Sequence, residues 1–298
     1  MQRKFKIDFL EKVAEFRSAM RDKLLVRTTF YKRIFGGKGM EFDSFRRYSP
    51  GEDASRIDWK ASVKSKIPLV REYIEERDLR VFFLIDVGDN MVFGSGDKLK
   101  MSFAGELVAA ISHLILSSGD GIGYALYSEN IKRMQGFGGG MKTFYGFMND
   151  LQELKNYGGK SDLKTALDFV APRLKKASTV FIISDFLNCD QETLNTLKRF
   201  MQNYETIGIM VRDPVDNEMP NLDEEVIVED IYTGEQMIVN PKLIEHEYGE
   251  KVDRQKELIG GVFTKSRGDL IELETNKDFV YLLAAFLKRR TKNRREII

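Results

Sequence analysis

Two stretches of the chain, Val81–Ile85 and Val180–Ile183, are apolar at every position and have the length of a strand. Each leads to an aspartate, Asp86 in one case and Asp185, one serine later, in the other. Unbroken Val/Ile/Phe runs belong to strands covered on both faces, as in a parallel sheet flanked by helices. Around them the chain alternates strand-like and helix-like patterns. Further strands are predicted at Gly121–Ser128, Ile131–Gln135, Glu205–Val211, Val226–Glu229, Glu235–Val239 and Leu270–Glu274. Helices are predicted at Lys98–Ser117, Met141–Leu154, Ser161–Lys175, Gln191–Asn203, Pro241–Phe263 and Lys277–Arg290. At the start, Phe5, Phe9, Val13, Phe16, Met20 and Leu24 recur at helical spacing, until Gly36-Gly37-Lys38-Gly39 breaks the pattern.

Residues 40–78 are polar and irregular, with only short strand-like pieces. The division expected is residues 1–78, a helix and an extended segment packing on the sheet, and residues 79–298, the α/β domain. No repeat or low-complexity tract separates them. The only tryptophan, Trp59, lies in the extended segment and is expected to anchor it by burying its ring.

Composition adds mainly exclusions. The 298 residues are 42% hydrophobic and 31% charged, with a formal net charge of +1, so no global field points to nucleic acid. No stretch approaches the roughly 18 apolar residues that span a bilayer, and the N-terminus does not read as a secretory signal. The single cysteine, Cys189, forms no internal disulfide framework and fits a reducing compartment, so a cytoplasmic location is expected. Charge is unevenly spread: residues 1–80 carry 20 Lys+Arg against 13 Asp+Glu, whereas Asp213–Pro241 holds nine acidic residues and no Lys or Arg.

In parallel sheets ligands gather at the carboxyl ends of the strands, near the switch in strand order, which is where Asp86 and Asp185 are expected. Asp86, Asn90, Ser161 and Asp185 would present a mixture of oxygen donors suited to a hard cation. Other candidates are weaker. His113 reads as a core-edge residue, and His246 lacks a spaced partner for zinc. Cys189 has no accompanying base. Gly136–Gly140 and Gly159-Lys160-Ser161 lack the full spacing of a phosphate-binding loop.

This arrangement resembles the metal-ion-dependent adhesion site of von Willebrand A domains. There a first loop reads Asp-x-Ser-x-Ser, a second supplies a Thr and a third an Asp. Asp86 matches the first aspartate, Gly88 and Asn90 the two serines, Ser161 the threonine and Asp185 the last aspartate. The resemblance implies a weakly held magnesium or manganese ion. Gly88 leaves one position to water, so Gly88→Ser is expected to tighten binding.

A second resemblance lies upstream. Residues 41–77 read EFDSFRRYSPGEDASRIDWKASVKSKIPLVREYIEER, and Arg212-Asp213-Pro214 follows a later strand. This block is similar to the signature of the family called domain of unknown function 58, whose members carry it before a von Willebrand A-like sheet. It implies an α/β, Rossmann-like, mainly parallel sheet with helices on both faces, preceded by an extended clasp. It also implies an association with MoxR-type AAA+ ATPases, for which Arg46, Arg47, Arg56 and Arg71 are the candidate docking residues. The function expected is therefore a non-catalytic, metal-assisted interaction module. The rivals are a metal-dependent phosphoester hydrolase built on Asp86, Asp89, Asp162 and Asp185, and a scaffold with a vestigial site.

Overall fold

A computed structural model describes residues 7, 9–21, 41–49, 52–74, 80–175 and 178–293. Its centre is a six-stranded sheet built from β3 (Arg80–Asp86), β4 (Gly121–Tyr127), β5 (Ile131–Gly138), β6 (Thr179–Ser184), β7 (Glu205–Arg212) and β10 (Asp269–Glu274), in the order β10-β7-β6-β3-β4-β5. All neighbours are parallel except β4 and β5, which form an antiparallel hairpin at one edge. The chain leaves β3 through α3 (Lys100–Ser117) to β4 on one side, then returns to β6 on the other. That reversal leaves a crevice at the carboxyl ends of β3 and β6, the position where such sheets place their ligands.

The fully apolar strands follow from this layering. Along β3, Val81, Phe83 and Ile85 enter one core with residues of α3, of α4 (Gly140–Gln152) and of α9 (Phe279–Asn293). Phe82 and Leu84 point into the opposite core, against α5 (Leu163–Val170), α6 (Gln191–Asn203) and α8 (Pro241–Lys265). Because strand side chains alternate between faces, a strand covered on both sides has no polar position to spare.

The N-terminal helix, α1 (Phe9–Arg21), buries Val13, Phe16 and Met20 in the first core, and Phe9 meets Phe144 of α4 edge-on, with ring centroids 5.8 Å apart.

Residues 41–49 and 52–74 correct one expectation, the burial of Trp59. They form a small unit in which β1 (Glu41–Arg47) pairs antiparallel with β2 (Leu69–Ile74) and a short helix, α2 (Trp59–Ser65), lies between them in the chain. Trp59 is not an anchor: it is 66% exposed, and Val63, one turn on, is 78% exposed. The unit is held by polar bonds at the start of α2. Asp58 caps the helix by accepting from the backbone of Ala61 at 3.0 Å. Ser62, which is buried, donates to the Asp58 carbonyl at 2.6 Å and accepts from the Leu69 amide at 2.8 Å. These bonds fix the helix backbone without using the indole, so the ring of Trp59 stays on the outer face.

Past β7, a one-turn helix α7 (Pro214–Asn217) precedes a second antiparallel hairpin, β8 (Val226–Glu229) and β9 (Gln236–Val239).

Candidate functional site

The site is assembled from strand ends. Asp86 closes β3 and is fully buried. Its Oδ1 accepts from the Gly88 amide at 2.9 Å. Its Oδ2 accepts from Ser161 at 2.6 Å, Ser184 at 2.8 Å and the Asn90 amide nitrogen at 3.3 Å. Burial, and then the charge of Asp185, push its pKa up to about 6, although these hydrogen bonds oppose the shift.

Asp185 follows β6 and is 1% exposed. Its Oδ1 accepts from the Leu187 amide at 3.0 Å, and its Oδ2 from Asn90 Nδ2 at 2.9 Å and Lys100 Nζ at 2.8 Å. The turn that brings Leu187 back requires Phe186 to sit at φ 55°, a left-handed conformation uncommon for an aromatic residue and frequent at functional sites.

Lys100 is the centre of the electrostatics. It opens α3, is 1% exposed, and donates to Asp185 Oδ2 and to Asp216 Oδ2, both at 2.8 Å. Burial pushes its pKa down, but the charges and hydrogen bonds of the two aspartates outweigh that and hold it above the ordinary lysine value. Asp216 is set by a capping box on α7, in which it also accepts from the Asp213 amide at 2.9 Å. Asp213 in turn accepts from the Ser95 amide at 2.9 Å and from Thr275 at 3.2 Å. Desolvation pushes the Asp213 pKa up, but the bonds from Ser95, Val215 and Thr275 prevail and hold it below the usual carboxylate value.

Ser161 is positioned by the preceding loop. Gly158 and Gly159 have φ of +107° and +90°, which only glycine adopts without strain, and the Gly159 amide donates to Asp89 Oδ2 at 3.0 Å. Over the site lies Tyr232, in the turn between β8 and β9. Its hydroxyl accepts from Asn188 at 3.0 Å and donates weakly to Asn90 Oδ1 at 3.4 Å, and Lys160 sits 5.7 Å from its ring.

Four residues singled out in the sequence, Asp86, Asn90, Ser161 and Asp185, are therefore brought together. The hydrolase alternative loses two of its four carboxylates to structural work: Asp89 straps the Gly159 loop, and Asp162 caps α5 by accepting from the Thr165 amide at 2.9 Å. Arg46 pairs with Glu52 at 2.8 Å, Arg47 is exposed, and the side chains of Arg56 and Arg71 lie outside the described residues. Burial, followed by the charges of Asp185 and Asp86, pushes the Cys189 thiol up to about 12, far from a reactive thiolate. His113 lies edge-on to Phe144 at 5.5 Å, and His246 is exposed.

Sequence reasoning missed Lys100, Ser184, Asp213, Asp216 and Tyr232. One signal was available. Lys100 falls at helical spacing with Ala104, Leu107 and Ile111, so it is a cation on the apolar stripe of its helix. Asp213 and Asp216 carry the three-residue spacing of a capping box. Nothing local marks Tyr232, which arrives from a distant hairpin.

The donor set does not fit a divalent ion as arranged. All four carboxylate oxygens of Asp86 and Asp185 already accept bonds from the protein. Asn90 turns its amide nitrogen toward them, where a metal would need the oxygen. Gly88→Ser is not a simple gain of a ligand either, because a Cβ at Gly88 would lie 2.4 Å from Asn90 Oδ1. The space a serine would use is filled by the Asn90 amide.

Comparison with known proteins gives relatives without assigned activities. The chain is 23% identical over 263 residues to the uncharacterized protein Rv1480 of Mycobacterium tuberculosis, covering 87% of this chain and 82% of that one. The uncharacterized protein Mb1516 of Mycobacterium bovis matches equally. Among solved structures, the conserved hypothetical protein BatB from Bacteroides thetaiotaomicron is similar with a TM-score of 0.46 at 9% identity, over 72% of this chain and 99% of that one. A von Willebrand factor type A protein from Catenulispora acidiphila gives a TM-score of 0.43 at 12% identity, over 75% and 44%. The sequence from residue 44 to residue 258 matches the family described as Protein of unknown function DUF58, and the chain belongs to that family.

Proposed function

We propose that this protein is a non-catalytic interaction module that docks a MoxR-type AAA+ ATPase in the cytoplasm. The observation that carries the reading is the exposed face of α2. Trp59, 66% exposed, and Val63, 78% exposed, stand one helical turn apart within the family's signature segment. Tryptophan is enriched among the few residues that dominate binding energy at protein interfaces, so an exposed Trp59 beside Val63 offers an anchor for a partner. Arg47 lies exposed on the neighbouring β1 and adds positive charge suited to an acidic partner face. The strand-end site supports the same reading from the other side. Its carboxylates are committed to internal donors, and a hydrolase would need one of them, or a neighbouring base, aimed at a nucleophile.

The test is a pull-down from the native host beside a panel of phosphoesters and nucleic acids assayed with magnesium and manganese. The expected result is capture of an AAA+ ATPase by the wild type, lost in Trp59→Ala, with no turnover on the panel. Metal-dependent turnover abolished by both Asp86→Ala and Asp185→Ala would replace this reading with the hydrolase.

A further inference from the structure

We infer that the site carries its own cation: the Lys100 ammonium stands in for the divalent ion, and the strand-end site works without metal. The inference concerns the site itself and holds whatever the partner proves to be.

Three observations converge. First, Lys100 Nζ is bound as a metal would be, at 2.8 Å from a carboxylate oxygen of Asp185 and at 2.8 Å from one of Asp216, with the side chain 1% exposed. The ring of Phe93 lies 5.8 Å from the nitrogen and covers it with a face that favours cations. An ammonium offers three donors and no acceptor, so it satisfies carboxylates as a compact point charge. A divalent ion on Asp185 Oδ2 would meet this charge across a distance of a few ångströms in a poorly screened interior.

Second, Asn90 is oriented against a metal site. Its nitrogen donates to Asp185 at 2.9 Å and to Asp86 at 3.3 Å, while its oxygen accepts from Tyr232 at 3.4 Å. Carboxylates only accept, so the reverse orientation would set oxygen against oxygen.

Third, the departures from the Asp-x-Ser-x-Ser pattern depend on one another. The missing side chain at Gly88 leaves room for the Asn90 amide, and a Cβ there would lie 2.4 Å from Asn90 Oδ1. The loop is a coherent alternative to the metal-binding one.

The experiment follows the Mn2+ electron paramagnetic resonance signal and thermal melts, on wild type, Asp185→Asn, Lys100→Gln and Lys100→Gln/Asp185→Asn. Wild type is expected to leave millimolar Mn2+ free and to melt at the same temperature with Mn2+ or with a chelator. Lys100→Gln, with two carboxylates released, is expected to bind Mn2+ at least about tenfold more tightly than wild type, and to lose that gain with Asp185→Asn. Wild-type binding that Asp185→Asn removes would overturn the proposal. So would a folded Lys100→Gln that still ignores Mn2+, because the ammonium would then not be what keeps the ion out. If Lys100→Gln unfolds, its melt decides: restoration of a cooperative transition by Mn2+ but not by K+ supports the proposal, and no restoration overturns it. None of these readouts uses the ATPase, so a failed pull-down and a failed metal test remain separate results.

Discussion

The strand-end site and the 41–74 unit use their most conspicuous residues in opposite ways. At the strand ends, groups that would be reactive in water are buried and bonded to one another. Asp86, Asp185 and Asp216 accept from two serines, an amide, backbone N–H groups and Lys100. In the 41–74 unit the order is reversed. Polar capping at Asp58 and Ser62 holds the backbone, and the largest apolar ring, that of Trp59, faces water. The difference teaches where to look for work done on other molecules. A buried, satisfied network stabilises and specifies the fold, whereas an exposed aromatic side chain is available for a partner.

The sharpest way to break this comparison is to remove the internal cation. Lys100→Met keeps most of the aliphatic stem but leaves the carboxylates of Asp185 and Asp216 without their countercharge. Loss of one partner of a buried ion pair costs about 3–5 kcal/mol, which urea denaturation would register as a large fall in midpoint. A loss below about 1 kcal/mol would mean that the network is not what holds the strand ends together.

Gly88→Ser is the next largest. Because the new side chain must displace the Asn90 amide, the variant should lose about 1–3 kcal/mol, as is usual for overpacking, instead of gaining a ligand. Melts with and without Mn2+ separate the two outcomes.

A pH series sharpens the picture further. The hydrogen bonds to Asp213 hold its folded pKa below the unfolded value, so its contribution is fully present above about pH 4 and fades as pH falls through the folded pKa. Asp213→Asn should therefore be less stable than wild type at neutral pH, with the gap narrowing in acid. A gap that widens in acid would reverse the sign assigned to this carboxylate.

The smallest expected effect is the most diagnostic for the open region. Trp59→Ala should change folding stability by no more than about 0.5 kcal/mol, since the ring is exposed, while weakening partner capture by about 2 kcal/mol or more. A variant that loses stability and binding together would show the ring to be structural after all.

Several elements were legible in the chain alone. β3, β6 and α6 lie where the apolar runs and helical spacing put them, because a strand covered on both faces and an amphipathic helix each leave a local pattern. Asp86 and Asp185 were legible as neighbours for the same reason: parallel strands align their ends. The 41–74 unit was harder. Its strands are short and polar, and the Asp58 and Ser62 hydrogen bonds that fix α2 have no periodicity to read.

The sequence by itself determined the α/β class, the sheet strands and the pair of strand-end aspartates, since these depend on patterns within one element. Tertiary structure alone decided what those aspartates touch. Lys100, Asp216 and Tyr232 lie 85, 31 and 47 residues from Asp185 along the chain, and they meet the site only because a helix start, a capping turn and a hairpin tip converge on one edge of the sheet. The sign of the charge beside a carboxylate is set by that convergence, and with it whether the site seeks a cation or already holds one.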